Sequence, residues 1–411
     1  MANWSAPGPS IARPILYATQ RPGWHSRSLS LSLLSGACEI KGHAVQHYFD
    51  NLLPDNARIR ARLGRRFKLK SIDTFNLLQA LGRDCVGAVQ LLPEGRSLEG
   101  WQDIDCEPCR TSRSPGSCKR CPPMPRRAAR HRTTIFSAFR LQGPRRKPPS
   151  PMAKTMMSAA WQNPATHILK LPLALIGGSR RVDAADSVQN ECLCAQIVGA
   201  LGLPVARTSM ATFDEQTVLM VERFDREWMD AGRWIARLPQ EDFCHALGLA
   251  PDQKYEQHGC PGMLKCLQLL QGSQDKGHAR LFLLSQLAFF LMAATDGHAK
   301  NFSIYLRRGD AYEMTPLYNV LSMWPYFVNS PSQFNQRKAA LAMAIRSKNT
   351  HYLLHTMQAR HWHQLAMKNG GPSVWQAMLA LVARVDEALA AVEHRLPPNS
   401  RPARGRRSPS A

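Results

Sequence analysis

At 411 residues, 44% hydrophobic and 20% charged, the chain holds enough apolar material for one large core or two to three ordinary ones, which excludes whole-chain disorder and collagen-like architecture. The formal charge of +23 invites a nucleic-acid partner, but 13 Lys and Arg with no acid lie between Pro108 and Asn163, and four Arg lie in 401–411. Setting those 17 cations aside leaves +6 elsewhere, so the excess belongs to two Pro-, Ser- and Arg-rich segments that resemble disorder more than a folded basic face.

Residues 1–43 carry little recognisable pattern. The N-terminus, MANWSAPGPSIARP, has no basic stretch leading into an apolar core, so secretion is not expected and a cytoplasmic location is the default. Eleven cysteines then read as reduced thiols.

Residues 44–97 read as a small α+β unit. AVQHYFDNLLPDN suggests an apolar turn, followed by a helix capped by Asp55 or Asn56. Asp73 caps a second helix, TFNLLQAL, which Gly82 ends, and VGAVQLL reads as a strand closed by Pro93, Glu94 and Gly95. Over 98–163 the pattern dissolves into Pro pairs and Arg runs. Structure resumes with a strand at HILKLP, a helix over Ser187–Leu201 ended by Gly202 and Pro204, and the strand TVLMVERF. From Glu241 onward helical patterns dominate, with a last long helix over 373–395 and a basic tail at 396–411. The 14-residue run Leu281–Ala294, interrupted by Ser285 and Gln286, is too short for a membrane span and reads as a buried helix. A small β-containing lobe joined to a larger helical lobe is expected.

Three segments carry chemistry. In Asp296-Gly297-His298-Ala299-Lys300-Asn301, an Asp and an Asn five residues apart in a tight loop can face one site. There the Asp accepts a hydroxyl proton and the Asn carbonyl holds a metal ion, as in the Asp-x-x-x-x-Asn catalytic loop of kinases. The alternative is that both are turn formers, and His298 reads as a structural loop histidine. Lys170, alone among apolar neighbours on the HILKLP strand, either reaches nucleotide phosphates or points to water from an edge strand; Glu191 on the next helix is its candidate partner. Glu222-Arg223-Phe224, where a strand emerges into alternating charges, forms either a lobe connector that meets an adenine or a set of surface ion pairs.

LGRDCVGAVQLLPEG, FDNLLPDN, THILKLP, ECLCAQIVGALGLPVA, VERFDR, ATDGHAKNFSIYL and TPLYNVLS together resemble the HipA-type serine/threonine kinases, the toxins of a bacterial toxin–antitoxin system associated with persistence. The resemblance covers roughly 44–97 and 164–395. It implies an α+β, kinase-like two-lobed fold with a small N-terminal subdomain and a mostly helical C-terminal lobe. It also implies Mg2+- and ATP-dependent phosphorylation of a protein serine, glutamyl-tRNA synthetase being one family target. Neutralisation by a small DNA-binding, HipB-like antitoxin would follow, with DNA engaged indirectly through it and no membrane partner. On this resemblance Asp296 is the catalytic base, Asn301 and Asn319 lie at the magnesium positions, Lys170 is the phosphate lysine, and Glu222, Arg223 and Phe224 form the adenine-contacting connector.

Two departures qualify that expectation. In TPLYNVLS, Asn319 stands where the family carries a metal-binding aspartate, and Mg2+ dehydrates reluctantly without anionic ligands. The family's phosphate loop, Ala-Gly-Ala-Gln-Glu-Lys-Thr, is replaced by Leu141-Gln142-Gly143-Pro144-Arg145-Arg146-Lys147-Pro148, whose prolines remove or restrict backbone donors. Permitted codons for the residues present (CTG CAG GGG CCC AGG AGA AAA CCN) spell Ala-Gly-Ala-Gln-Glu-Lys-Thr when read from the third base. Part of 98–163 is therefore expected to be translated out of frame, as in a pseudogene. An inactive antitoxin-binding scaffold is the alternative function. The pairs Cys106/Cys109 and Cys118/Cys121 form a four-cysteine zinc pattern with a short eight-residue spacer, which with the basic tail defines a zinc-dependent nucleic-acid binder as a third reading. His351 and His355, four apart on an expected helix, with His361 and His363, could suggest metal ligands, but no acid lies close in sequence and a partly exposed amphipathic helix is the simpler reading.

Overall fold

The computed structural model describes residues 27–34, 39–92, 102, 164–173, 175–176, 182–213, 216–252, 255–327 and 334–396, together with the backbone of the strands at 2–5, 15–18, 106–110, 136–141 and 155–159. Strands β1 (Ala2–Ser5), β2 (Ile15–Ala18) and β3 (Glu39–Lys41) form an antiparallel sheet. It leads into helices α1 (His43–Asn51), α2 (Ala57–Arg66) and α3 (Thr74–Leu81). The caps fall where the sequence sets them: Asn56 Oδ1 accepts from the Arg58 amide and Asp73 from the Asn76 amide, with Gly82 at the end of α3. Two expectations fail here. The stretch expected as an apolar turn is mostly α1, because Val45, Tyr48 and Phe49 recur at helical spacing and bury against Leu77 and Leu78. VGAVQLL forms no strand: Gly87 takes a left-handed φ of 68° and its amide donates to Asp225, so the segment is held by the neighbouring lobe rather than by a sheet.

The second lobe is a six-stranded sheet, in the order β10 (Thr208–Phe213), β11 (Gln216–Glu222), β7 (His167–Lys170), β5 (Phe136–Leu141), β6 (Thr155–Ala159), β4 (Cys106–Arg110). A short hairpin, β8 (Leu175–Ile176) and β9 (Val182–Asp183), precedes α4 (Ser187–Ala200), which packs on β10 and β11. Val188 and Cys192 of α4 meet Ala206, Leu219 and Val221 in a small core of their own. Because β7 lies between β11 and β5, Lys170 is on an interior strand, which overturns the edge-strand reading.

The largest core belongs to the C-terminal lobe. Hairpin β12–β13 (Arg226–Met229, Trp234–Arg237) and strand β14 (Gln240–Asp242) lead to α5 (Phe243–Ala246), α6 (Met263–Gln271) and α7 (Gly277–Leu291). Strands β15 (Ser303–Leu306) and β16 (Tyr312–Met314) extend the sheet from β14, and the hairpin β17–β18 (Ala340–Arg346, Thr350–Leu353) precedes α8 (Ala359–Lys368). The expected buried helix is α7, around whose Phe282, Leu283 and Phe289 the core forms. The expected last helix is two, α9 (Pro372–Ala383) and α10 (Val385–Arg395), separated at Arg384, whose Nη1 donates to the Leu201 carbonyl at the end of α4. His351 lies on β18 and His355 in a single 3-10 turn, so the expected histidine-bearing helix does not form; the Thr350–Leu353 strand is fixed instead by pairing with β17. His351 and His361 stack with ring centroids 3.9 Å apart.

The N-terminal subdomain docks on both lobes through buried polar groups. Asp84 and Cys85 meet Arg223, Asp225, Arg226 and Arg237 in one cluster: Arg223 Nη2 donates to Asp225 Oδ2 at 2.8 Å, Arg226 Nη2 to Asp84 Oδ1 at 2.9 Å, and Arg223 Nη1 lies 3.5 Å from Asp84. Burial alone would raise the Asp225 carboxyl, but Arg223 and Arg226 hold it below the usual range; burial and the like charge of Arg223 bring Arg226 down to about 10. Farther along, buried Glu241 accepts the Leu31 amide at 2.9 Å, and burial pushes its carboxyl up to about 7. Among the described residues no helix is long and apolar enough to cross a membrane.

Candidate functional site

Where the sheet lobe faces the helical lobe, five expected residues come together in one hydrogen-bonded chain. Lys170 Nζ, on β7, donates to Glu191 Oε1 of α4 at 2.5 Å and to Asn319 Oδ1 at 2.9 Å. The amide of Asn319 then donates through Nδ2 to Asn301 Oδ1 at 3.1 Å, and Asn301 Nδ2 donates to the Asp296 carbonyl at 2.5 Å. Glu191, only one of two readings on sequence, is thus the lysine's partner, and Lys170 is not a water-facing lysine. Beside this chain lies a small pocket, with room for about one water molecule, lined by Glu191, Val205, Val221, Tyr318 and Asn319.

The Asp296–Asn301 loop is held from three sides. Gly297 lies so close to α7 that a Cβ there would come within 2.5 Å of the Phe289 ring, which explains the residue type after Asp296. Tyr318 Oη donates to the Lys300 carbonyl at 3.0 Å. The Lys300 ammonium reaches back to the N-terminal subdomain, donating to Asp55 Oδ1 at 2.6 Å and Asn51 Oδ1 at 2.9 Å. LLPDN and DGHAKN, far apart in sequence, are therefore one contact. His298 is buried, with Nε2 3.7 Å from Asp296 Oδ1 and its ring edge-on to Tyr255. It sits as a loop-supporting histidine.

The Asp296 carboxylate is 57% exposed and accepts from Tyr255 Oη at 2.7 Å. Sequence reading missed Tyr255, since it lies 41 residues away with no motif around it. Its neighbour Glu256 pins that turn to β17, accepting the Ala344 amide at 2.7 Å and the Arg346 guanidinium. Tyr255 thus covers one oxygen of the Asp296 carboxylate.

The connector Glu222–Phe224 splits by side chain. Arg223 is buried in the Asp84–Asp225 cluster, which overturns the surface ion-pair reading for it. Glu222 is half exposed, 4.0 Å from Arg207. Phe224 packs against Tyr305 and Tyr318, and its carbonyl accepts from Tyr305 Oη at 3.0 Å. The backbone amides of Glu222 and Arg223 donate to the Arg207 and Thr166 carbonyls.

As arranged, the oxygens at 301 and 319 do not fit a magnesium ion. Mg2+ demands near-octahedral oxygen ligands, usually including a carboxylate. Here both side chains are neutral amides, an N–H group of Asn319 points at Asn301 Oδ1 where a cation would stand, and Asn319 Oδ1 already faces the Lys170 ammonium. A carboxylate at 319 has no N–H to close that gap. Asn319 adopts a left-handed φ of 58°, a conformation that asparagine tolerates better than most residues.

Comparison with known proteins places this geometry. A model of the HipA-like C-terminal domain matches residues 141–393, and one of the HipA N-terminal domain matches 16–92. The chain belongs to the HipA-like family. It is 31% identical over 372 residues to Y4mE of Sinorhizobium fredii, a putative kinase by name, spanning 89% of this chain and 82% of that relative. It is 29% identical over 176 residues to the serine/threonine-protein kinase toxin HipA of Shewanella oneidensis, spanning 38% of this chain and 37% of that one. Its fold matches the HipA of the Shewanella oneidensis MR-1 HipA, HipB and operator DNA complex with a TM-score of 0.74 at 21% identity, covering 97% of this chain and 89% of that one. The fold is accordingly the α+β, kinase-like one of HipA.

Cys118 and Cys121, the side chains of Cys106 and Cys109, and Gln142–Pro148 lie outside the described residues, and with them the zinc pattern, the altered phosphate loop and the out-of-frame segment. Among the described residues no cluster of three His, Cys, Asp or Glu suited to a metal is present, and six cysteines are free; Cys244 and Cys260 have their Sγ atoms 3.9 Å apart.

Proposed function

We propose that this chain is a HipA-type serine/threonine kinase in architecture whose phosphoryl-transfer centre is disabled at the metal position. In this reading an intact relative orients a substrate serine hydroxyl on the aspartate at 296 and positions ATP with the lysine at 170, transfer being a matter of placement and electrostatics. The contact between the Asn319 amide and Asn301 Oδ1 carries the proposal that this chain does not do so, because it puts a hydrogen-bond donor where the reaction needs a divalent cation. The Lys170–Glu191 pair and the Asp296 loop support nucleotide placement as the ancestral role. Manganese binding followed by electron paramagnetic resonance tests the metal half of the claim without any turnover. Asn319→Asp is expected to tighten binding at least tenfold over the parent chain. Equal affinity of the two would overturn it.

The second reading is an inactive scaffold that binds a small HipB-like antitoxin and, through it, operator DNA. It is supported by the likeness to the HipA of the Shewanella complex and by the docking clusters around Asp84 and Lys300, which keep the lobes assembled without catalysis. Co-expression with a HipB-like antitoxin tests it: co-elution on size exclusion is expected, and separate elution would remove the reading.

A further inference from the structure

Helix α2 bears an arginine stripe that neither the site nor the docking clusters use. From Ala57 to Ile72 the chain carries seven cations and no acid. Arg58, Arg62, Arg65 and Arg66 recur at i, i+4, i+7 and i+8, which puts them on one helix face, and all four are exposed. Lys68 and Lys70 extend the exposed run beyond the helix. Arg60 is different: it is half-buried and held by Asp50 at 2.7 Å, so it belongs to the subdomain's own structure. Among the described residues none of the four stripe arginines forms an ion pair. The nearby carboxylates are engaged elsewhere, Asp50 with Arg60 and Thr74, Asp73 with the amide and side chain of Asn76.

Arg65 and Arg66 lie in the last turn, where cations suit the helix dipole, and Arg66 sits 5.9 Å from the Phe67 ring centroid; Arg58 and Arg62 have no such role, and like charges at i, i+4 weaken a helix. The face is poor in apolar anchors: Ile59, Leu63 and Phe67 are half-buried, with Leu63 against the Leu77–Leu78 core, and Ile72, 45% exposed, is the large apolar side chain nearest the stripe that reaches solvent among the described residues. A protein partner normally needs such an anchor at the centre of its interface. A phosphate backbone needs none, and guanidinium forks suit phosphate oxygens. At about 1.5 Å of rise per residue the stripe runs about 12 Å, comparable to the width of a B-DNA major groove.

We propose that the α2 stripe is a direct, sequence-independent contact to the phosphate backbone of duplex DNA, made by this chain itself. It goes beyond the scaffold reading, in which DNA is reached only through an antitoxin, and it holds whether or not phosphate is transferred.

The test is fluorescence anisotropy of the full chain, without antitoxin, on a labelled random-sequence duplex between about 50 and 200 mM salt. Four phosphate contacts contribute about 3.6 to the salt slope of log K, or a fall of about 100-fold in affinity over that range. Substituting Arg58, Arg62, Arg65 and Arg66 together by glutamine is expected to remove that share of the slope, and substitution by lysine to restore most of it, with the melting temperature unchanged because the side chains are exposed. A slope identical in parent and glutamine variant would overturn the proposal and assign any binding to the basic segments at 108–163 and 401–411. A variant that loses polyglutamate but keeps the duplex would overturn it in favour of an acidic protein partner. Antitoxin co-elution of the glutamine variant, measured alongside, separates failure of this contact from failure of the scaffold reading.

Discussion

Two polar networks hold this molecule's functional parts, and they have fared differently. The docking cluster of Asp84, Arg223, Asp225, Arg226 and Arg237 is largely buried, and each carboxylate faces at least two guanidinium groups. The chain from Lys170 through Asn319 and Asn301 to Asp296 is less deeply buried, and at its centre an amide, where the family resemblance leads one to expect a carboxylate, bonds to both neighbours. The buried network cannot exchange a charge for a neutral group without stranding the partner ions in low dielectric. The less buried one can, because an asparagine supplies both an acceptor for Lys170 and a donor for Asn301. Architecture and chemistry are thus under separate physical constraints, and the second can be lost while the first persists.

The sharpest way to break that contrast is at Asp225. Asp225→Ala leaves Arg223 and Arg226 buried without their shared carboxylate and is expected to destabilise the fold by about 3–5 kcal/mol in urea unfolding. A loss under about 1 kcal/mol would show that the cluster is not structural.

Glu241 sharpens the same side. Its folded pKa, about 7, stands above the ordinary glutamate value of 4.5 because of burial, so its contribution to stability is complete below pH 4.5 and is lost as pH rises through 7. Relative to Glu241→Gln, the parent chain should lose roughly 2–3 kcal/mol of stability between about pH 4.5 and 8. Parallel pH curves for the two proteins would contradict the buried-acid account.

Lys300 tests the junction between the networks. Lys300→Met removes the bonds to Asp55 and Asn51 and should cost about 1–3 kcal/mol, with faster proteolysis of the N-terminal subdomain as the signature. On the less buried side effects should be small. Asn319→Asp should change stability by less than about 1 kcal/mol, since a carboxylate still accepts from Lys170, and should not rescue phosphoryl transfer while the 141–148 sequence is unlike the family's loop.

Much of this was legible in the sequence where chemistry is local. Asn56 and Asp73 announce their helices because a cap needs one side chain and one amide nearby. Asp296 and Asn301 announce a shared loop because five residues of chain force them together. What was hidden is what depends on distant contacts. Nothing near Val86–Leu92 says that Gly87 is claimed by Asp225 instead of a sheet, and nothing near Thr350 says that β17 will take His351 out of a helix. Tyr255 reaches Asp296 only through a turn anchored by Glu256 on β17. The Lys170–Glu191 pair was one of two open readings for the same reason: strand and helix faces are visible, but their relative rotation is set by packing.

The central proposal is that a site in which Lys170, Asn301 and Asp296 still meet transfers no phosphate, with an amide at 319 and a 141–148 sequence unlike the family's loop. It is tested most directly by incubating the purified chain and its Asp296→Ala variant with Mg2+ and γ-labelled ATP, together with bacterial lysate protein, and counting label on protein. The account predicts equal, background counts for the two. Transfer by the parent chain that Asp296→Ala abolishes would contradict it.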